Sequence, residues 1–220
     1  MNRVVFHRKT LIALAICLLL IFFSVYKLIK SEEGLSTFKE TIDGSPIIIT
    51  EPAGNSKEII FIAHGFAGST SFMRPIAVAL AKAGYKTIRY DFQGHGRHFE
   101  PYSGDITTTQ GATQLFLDQT NKIINHYLDK NKSSKGVIIG HSMASDIILR
   151  AALTNNKIIS SIGISNYTDV IEESRPKNVL MLNGQWESHL RKKGLSILTH
   201  IGVNNPQENT LYGSIEAGTA

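Results

Sequence analysis

A chain of 220 residues with 42% hydrophobic and 19% charged positions has the composition of an ordinary globular protein, which excludes disorder and low complexity. Its net charge of +5 is matched by Arg3, Arg8, Lys9, Lys27 and Lys30, and no acid accompanies them within residues 1–30. The rest of the chain is formally neutral, so the basic balance marks the flanks of an N-terminal segment and not a phosphate-binding face, and no nucleic acid is expected as a partner. The single cysteine, Cys17, excludes an intrachain disulfide, a cysteine metal centre and a thiol nucleophile.

Residues 10–26 (TLIALAICLLLIFFSVY) carry no charge. As a helix they would span about 26 Å, against roughly 30 Å of bilayer hydrocarbon. Lys27 can snorkel, and Leu28 and Ile29 extend the apolar stretch, so residues 10–29 are expected to contact the membrane. The alternatives are a cleaved signal peptide, for which Ser24-Val25-Tyr26 offers no small-residue cleavage pattern, and a buried core helix. The reading is a single-pass anchor over residues 1–30, with its N-terminus in the cytoplasm and the following domain outside it. The bias of basic residues across the span is slight.

Residues 31–45 are polar and mixed, which suggests a linker to a domain over residues 46–220. Within that domain, strands are expected at 46–50, 58–63, 86–90, 136–140, 159–164 and 179–182. Apolar residues at helical spacing predict helices at 71–83, 111–130 and 143–153. Short β-branched runs alternating with helices imply parallel βαβ units, hence an α/β fold with a doubly wound, mostly parallel sheet.

The strongest chemical signal is Gly140-His141-Ser142-Met143-Ala144, between a predicted strand and a predicted helix. Small residues on both sides of a serine allow the sharp strand-to-helix turn that exposes its hydroxyl as a nucleophile, with Ala144 at the place of the second glycine of G-x-S-x-G. A second signal, His64-Gly65-Phe66-Ala67-Gly68, follows the strand at 58–63. At the carboxyl ends of the strands, the backbone N–H of Phe66 and that of Met143 could hold a developing oxyanion. His64 is expected to shape this loop and not to act as a base.

With Asp91-Phe92-Gln93-Gly94-His95-Gly96-Arg97 between them, these motifs resemble the ordered signatures of the α/β-hydrolase superfamily. The likeness is greatest to its lidless serine esterases and its serine-aminopeptidase and monoacylglycerol-lipase-like members. The resemblance implies that Asp91, His95 and His98 are structural and that the triad acid follows a late strand. Glu187 stands at that place in Asn183-Gly184-Gln185-Trp186-Glu187, with Asp169 as the second candidate. The family's histidine follows one further strand. The only histidines after Glu187 are His189 and His200, at the start and end of an apparent helix. The tail is therefore expected to lack both the last strand and the histidine, a C-terminally incomplete version of the fold with weak activity as it stands. The short connection at 166–178 leaves no room for a lid, so an open pocket suited to accessible or bulky esters is expected.

The leading functional reading is a serine hydrolase of carboxylic esters, working through an acyl-enzyme on Ser142 with Glu187 as acid and no metal or organic cofactor. Its partners would be a small ester or acyl substrate and the membrane. The alternatives are an inactive, truncated hydrolase serving as a binding module, and a peptidase or thioesterase of the same fold.

Overall fold

The structure, a computed structural model, describes residues 8–105, 109–130, 135–165, 178–183 and 210–212. Helix α1 (Arg8–Lys30) contains the uncharged run, and every one of its residues is exposed. It is long and apolar enough to cross a membrane; a signal sequence near an N-terminus has the same properties. Lys27 and Lys30 lie over the rings of Phe23 and Tyr26, at 5.6 and 5.9 Å from the ring centres.

Where a linker was expected, the chain forms a strand. Strand β1 (Leu35–Ile42) pairs antiparallel with β2 (Ser45–Pro52), from Leu35 opposite Pro52 to Ile42 opposite Ser45. Asp43 and Gly44 make the connecting turn with φ of +46° and +78°. Positive φ at both central residues is the turn that matches the twist of paired strands, and Asp-Gly is among the sequences that favour it. β1 reads as polar because it is an edge strand with an exposed middle. The Tyr127 hydroxyl donates to the Glu40 carboxylate, and Lys122 pairs with Asp43, which ties the hairpin to a helix on one face.

The remaining elements are β3 (Ile59–Ala63), α2 (Arg74–Lys82), β4 (Lys86–Tyr90), α3 (Thr109–Lys130), β5 (Gly136–His141), α4 (Ala144–Thr154), β6 (Ile158–Ile164), β7 (Val179–Asn183) and β8 (Thr210–Tyr212). They lie within a few residues of the expected spans, except β8, where no strand was expected. The sheet runs β1-β2-β4-β3-β5-β6-β7-β8, parallel from β4 onward. The tail, in which no strand was expected, thus contributes one: Met181, Leu182 and Asn183 of β7 pair with Thr210, Leu211 and Tyr212. Three residues are too few for a period-two pattern to stand out in sequence.

Side chains alternate between the two faces of the sheet. Ile59, Phe61, Ala63, Ile88 and Ile138 pack with α3 and α4 through Phe116, Ile124, Ile147 and Ile148. Ile60, Ile62 and Ile139 pack with Met73 and Ala77 beside α2. β3 is buried on both faces, which explains its unbroken apolar sequence. From β3 the chain crosses to β4 on one side, and from β5 to β6 on the other. The carboxyl ends of β3 and β5 therefore flank the point where strand order reverses, the place where open α/β sheets bind ligands.

Candidate active site

Both glycine-rich motifs leave the sheet at that reversal point, where Ala63 pairs with Gly140. Ser142 follows β5 with a φ of +51°, and Met143 then adopts helical angles that start α4. A side chain in the left-handed region costs roughly 1–2 kcal/mol, so the turn is held by its surroundings. The Ser142 N–H donates to the Ile164 carbonyl at 2.8 Å. The Ser142 carbonyl accepts from the Ser145 N–H at 2.8 Å and from the Ser145 hydroxyl at 2.6 Å. Gly140 is required by contact: a Cβ there would lie 2.5 Å from the Ala144 carbonyl oxygen and 2.8 Å from Ile148. Ala144, beside it at the helix start, is itself fully buried.

Gly65 does more than make a turn. A Cβ at Gly65 would sit 2.9 Å from the His141 carbonyl oxygen and 3.0 Å from the Ser142 Cβ, so the His64–Gly68 loop lies directly against the elbow. Ala67 has a φ of +55°, and the Gly68 N–H closes the loop onto the Gly65 carbonyl at 3.0 Å. Among the described residues, the N–H groups of Phe66 and Met143 donate to no protein acceptor. The Phe66 side chain is exposed, with its ring edge-on to His95 at 5.8 Å. Phe72 lies 5.2 Å from the His141 ring, so aromatic side chains border the elbow.

His64 is fully buried and has no nitrogen to spare. Its Nδ1 donates to the Gly65 carbonyl at 2.8 Å, since a carbonyl can only accept, and its Nε2 accepts the Phe92 N–H at 3.1 Å. Burial holds its pKa below the ordinary value of 6.5, against the opposing pull of the Gly65 carbonyl and Asp91. The 3.8 Å approach of Nε2 to Asp91 is therefore a contact of a neutral ring and not an ion pair. His64 shapes the loop, as the sequence suggested.

Asp91 is also enclosed. Its Oδ1 accepts the Thr70 N–H at 2.5 Å and its Oδ2 the Arg97 N–H at 2.9 Å, which joins the loop after β3 to the loop after β4. Gly96 passes so close that a Cβ would lie 2.4 Å from the Asp91 carboxyl carbon. The buried Arg89 completes the brace by donating from Nη1 to the Thr70 carbonyl at 2.8 Å; burial pushes its pKa down to about 10. Nothing in the motifs pointed to Arg89, because its role depends on a packing partner nineteen positions away. His95 donates from Nδ1 to the Gln93 carbonyl, and His98 accepts the Glu100 N–H on Nδ1, so both serve loop geometry. Glu187, Asp169, His189 and His200, together with most of the 166–178 connection, lie outside the described residues. Among the described residues, no group of three or more metal-ligating side chains converges.

Residues 54–214 match the serine aminopeptidase S33 family (Hydrolase_4). The chain belongs to this family of α/β-hydrolases. Among characterised relatives, a thermostable monoacylglycerol lipase from Bacillus sp. (strain H-257) is 44% identical over 48 residues, covering 22% of this chain and 19% of that protein. The sn-1-specific diacylglycerol lipase ABHD11 of Danio rerio is 28% identical over 123 residues, 54% of this chain and 35% of its own. The matched segment thus spans well under half the length of these relatives. In three dimensions, esterase Est22 superposes with a TM-score of 0.61 at 11% identity, over 83% of this chain and 73% of that one. TT1662 from Thermus thermophilus gives 0.60 at 12% identity, over 82% and 88%. At such identities the likeness is one of fold.

Proposed function

We propose that the protein is a serine hydrolase of carboxylic esters, with Ser142 as the nucleophile. The observation that carries this reading is the left-handed Ser142 at the strand-reversal point, with the Gly65 backbone packed against its Cβ. A residue strained at an element end, where ligands bind, is the arrangement a nucleophile elbow requires. The Ser142 Oγ attacks the ester carbonyl carbon, and the N–H groups of Phe66 and Met143 receive the oxyanion. The hydroxyl proton leaves Ser142 to a base as the new bond forms, the tetrahedral centre expels the alcohol, which takes up that proton, and water releases the acid from acyl-Ser142 and restores its hydroxyl. Glu187 is the proposed acid of the triad, with Asp169 as the second candidate. The names of the relatives favour acylglycerol-like esters over peptides as substrates. Residues 10–29 are proposed as a membrane anchor, with the catalytic domain on the extracytoplasmic side.

The test is labelling of the full chain with a fluorophosphonate probe, alongside Ser142→Ala. Labelling confined to Ser142 and lost in the variant supports the reading; undiminished labelling of the variant overturns it.

A further inference from the structure

The register fixes which end of the sheet the apolar helix joins. Leu35, directly after the four-residue turn that follows α1, pairs with Pro52, whereas Ile47, Tyr90, Ala63 and Gly140 form one row across β2, β4, β3 and β5. Ser142 lies beyond that row, and Pro52 lies at the opposite edge, where the parallel strands begin. The separation along the strands is roughly seven positions, about 23 Å. No residue of α1 is buried, and its last turn meets Lys82 of α2 at the edge opposite the nucleophile.

That edge is basic. Lys57 precedes β3, Lys82 ends α2, Lys86 begins β4, and Lys135 and Lys157 precede β5 and β6. Glu51 pairs with Lys86 at 3.0 Å, and Asp129 with Lys157 at 2.5 Å. Lys57, Lys82 and Lys135 are exposed and form no ion pair among the described residues. Glu58 and Glu33 are exposed acids beside them. Lys82 also meets Lys27, Lys30 and Glu33 around a shallow cleft of about 630 Å³ where α1 ends. The Glu32–Arg74 ion pair, at 2.7 Å, fastens the turn after α1 to the first residue of α2. At the other end, the loop after β4 carries Arg97, Glu100 and Asp105, a net acidic set.

We infer that the amino-terminal edge of the sheet is a docking face for an anionic bilayer surface, which holds the domain upright with Ser142 opening away from the leaflet. Two independent features select this occupant. The first is continuity with an apolar helix whose last turns place lysines over Phe23 and Tyr26, the pairing of cation and ring typical of a headgroup boundary. The second is lysines without acidic partners at the same edge, which suit anionic headgroups and lose their hold as salt screens them. The cleft between Lys27, Lys30 and Lys82 is where a headgroup phosphate would be held.

The experiment uses the full chain, with Cys17→Ser, reconstituted in phosphatidylcholine vesicles with or without 30% phosphatidylglycerol and a headgroup-labelled acceptor lipid. A donor dye is attached at Asn55→Cys, on the basic edge, or at Phe99→Cys, beside the β1–β2 turn at the same end of the sheet as the nucleophile; both positions are exposed. In anionic vesicles, energy transfer from position 55 should exceed that from position 99 several-fold. Lys57→Glu, Lys82→Glu and Lys135→Glu combined, or 0.5 M salt, should shrink the difference. Equal transfer from the two positions, or more from 99, overturns the proposed orientation. A difference unchanged by the three substitutions and by salt overturns the role of the lysines. The readout needs no turnover, so it stands apart from the test of Ser142 as a nucleophile.

Discussion

Replacing Ser142 by glycine should make the protein more stable than replacing it by alanine, although both variants lose the nucleophile. The two share the loss of the hydroxyl, which forms no hydrogen bond among the described residues. They differ in how they tolerate a φ of +51°. Alanine retains the left-handed penalty of roughly 1–2 kcal/mol. Glycine escapes it but gives back about 0.5–1 kcal/mol through the greater freedom of its unfolded chain. At the middle of these ranges the net advantage of glycine is about 0.75 kcal/mol, which for a domain of this size corresponds to about 1.5–3 °C in Tm. The measurement is thermal unfolding of both variants in the same detergent, followed by circular dichroism. If Ser142→Gly melts at or below Ser142→Ala, the elbow is not strained and the main support for the nucleophile assignment falls.

Gly140→Val should cost about 3 kcal/mol, the upper range for overpacking, because its Cβ would meet the Ala144 backbone first and the Ile148 side chain behind it; denaturant unfolding measures this, together with loss of probe labelling. Gly65→Ala meets its neighbours at 2.9–3.0 Å and should slow labelling of Ser142 with a smaller stability loss of about 1 kcal/mol. Asp91→Ala leaves the Thr70 and Arg97 N–H groups without their acceptor and should cost about 3 kcal/mol; a loss below 0.5 kcal/mol, on the order of a plain surface change, would show that the brace is dispensable. His64 titrates below 6.5 when folded, so the unfolded chain takes up its proton first as pH falls. The stability tied to neutral His64 is intact above about pH 6.5 and is lost progressively below it. Melting from pH 7.5 to 5.0 should therefore fall less steeply in His64→Phe than in the parent, and identical slopes would clear His64 of the effect.

The elbow was legible in sequence because its chemistry is steric and local. Gly140, Ser142 and Ala144 declare a tight turn before any contact is known. Strands β3 and β5 were legible for a related reason, since burial on both faces leaves an unbroken apolar run. β1 was not, because an edge strand with a wet middle looks like a linker; its signal was the Asp43-Gly44 turn. The structural assignment of His64 could be made as an expectation, but its ground, that both ring nitrogens are engaged, needs the positions of Gly65 and Phe92. Arg89 and the bracing of Thr70 depend on long-range packing that no local pattern encodes.

The β1–β2 pairing also sets how the domain answers to force. A pull transmitted through α1 enters the sheet at Leu35, at the end of a ladder of eight residue pairs running to Ile42. Drawn along the strand axis, away from the sheet, it loads those pairs together in shear and not one after another as in unzipping. The strand that joins helix and domain would therefore act as a mechanical clamp: tension on the helix meets the Glu32–Arg74 ion pair and then the antiparallel edge, with β2 and β4 standing between that edge and the β3–β5 crevice that holds Ser142.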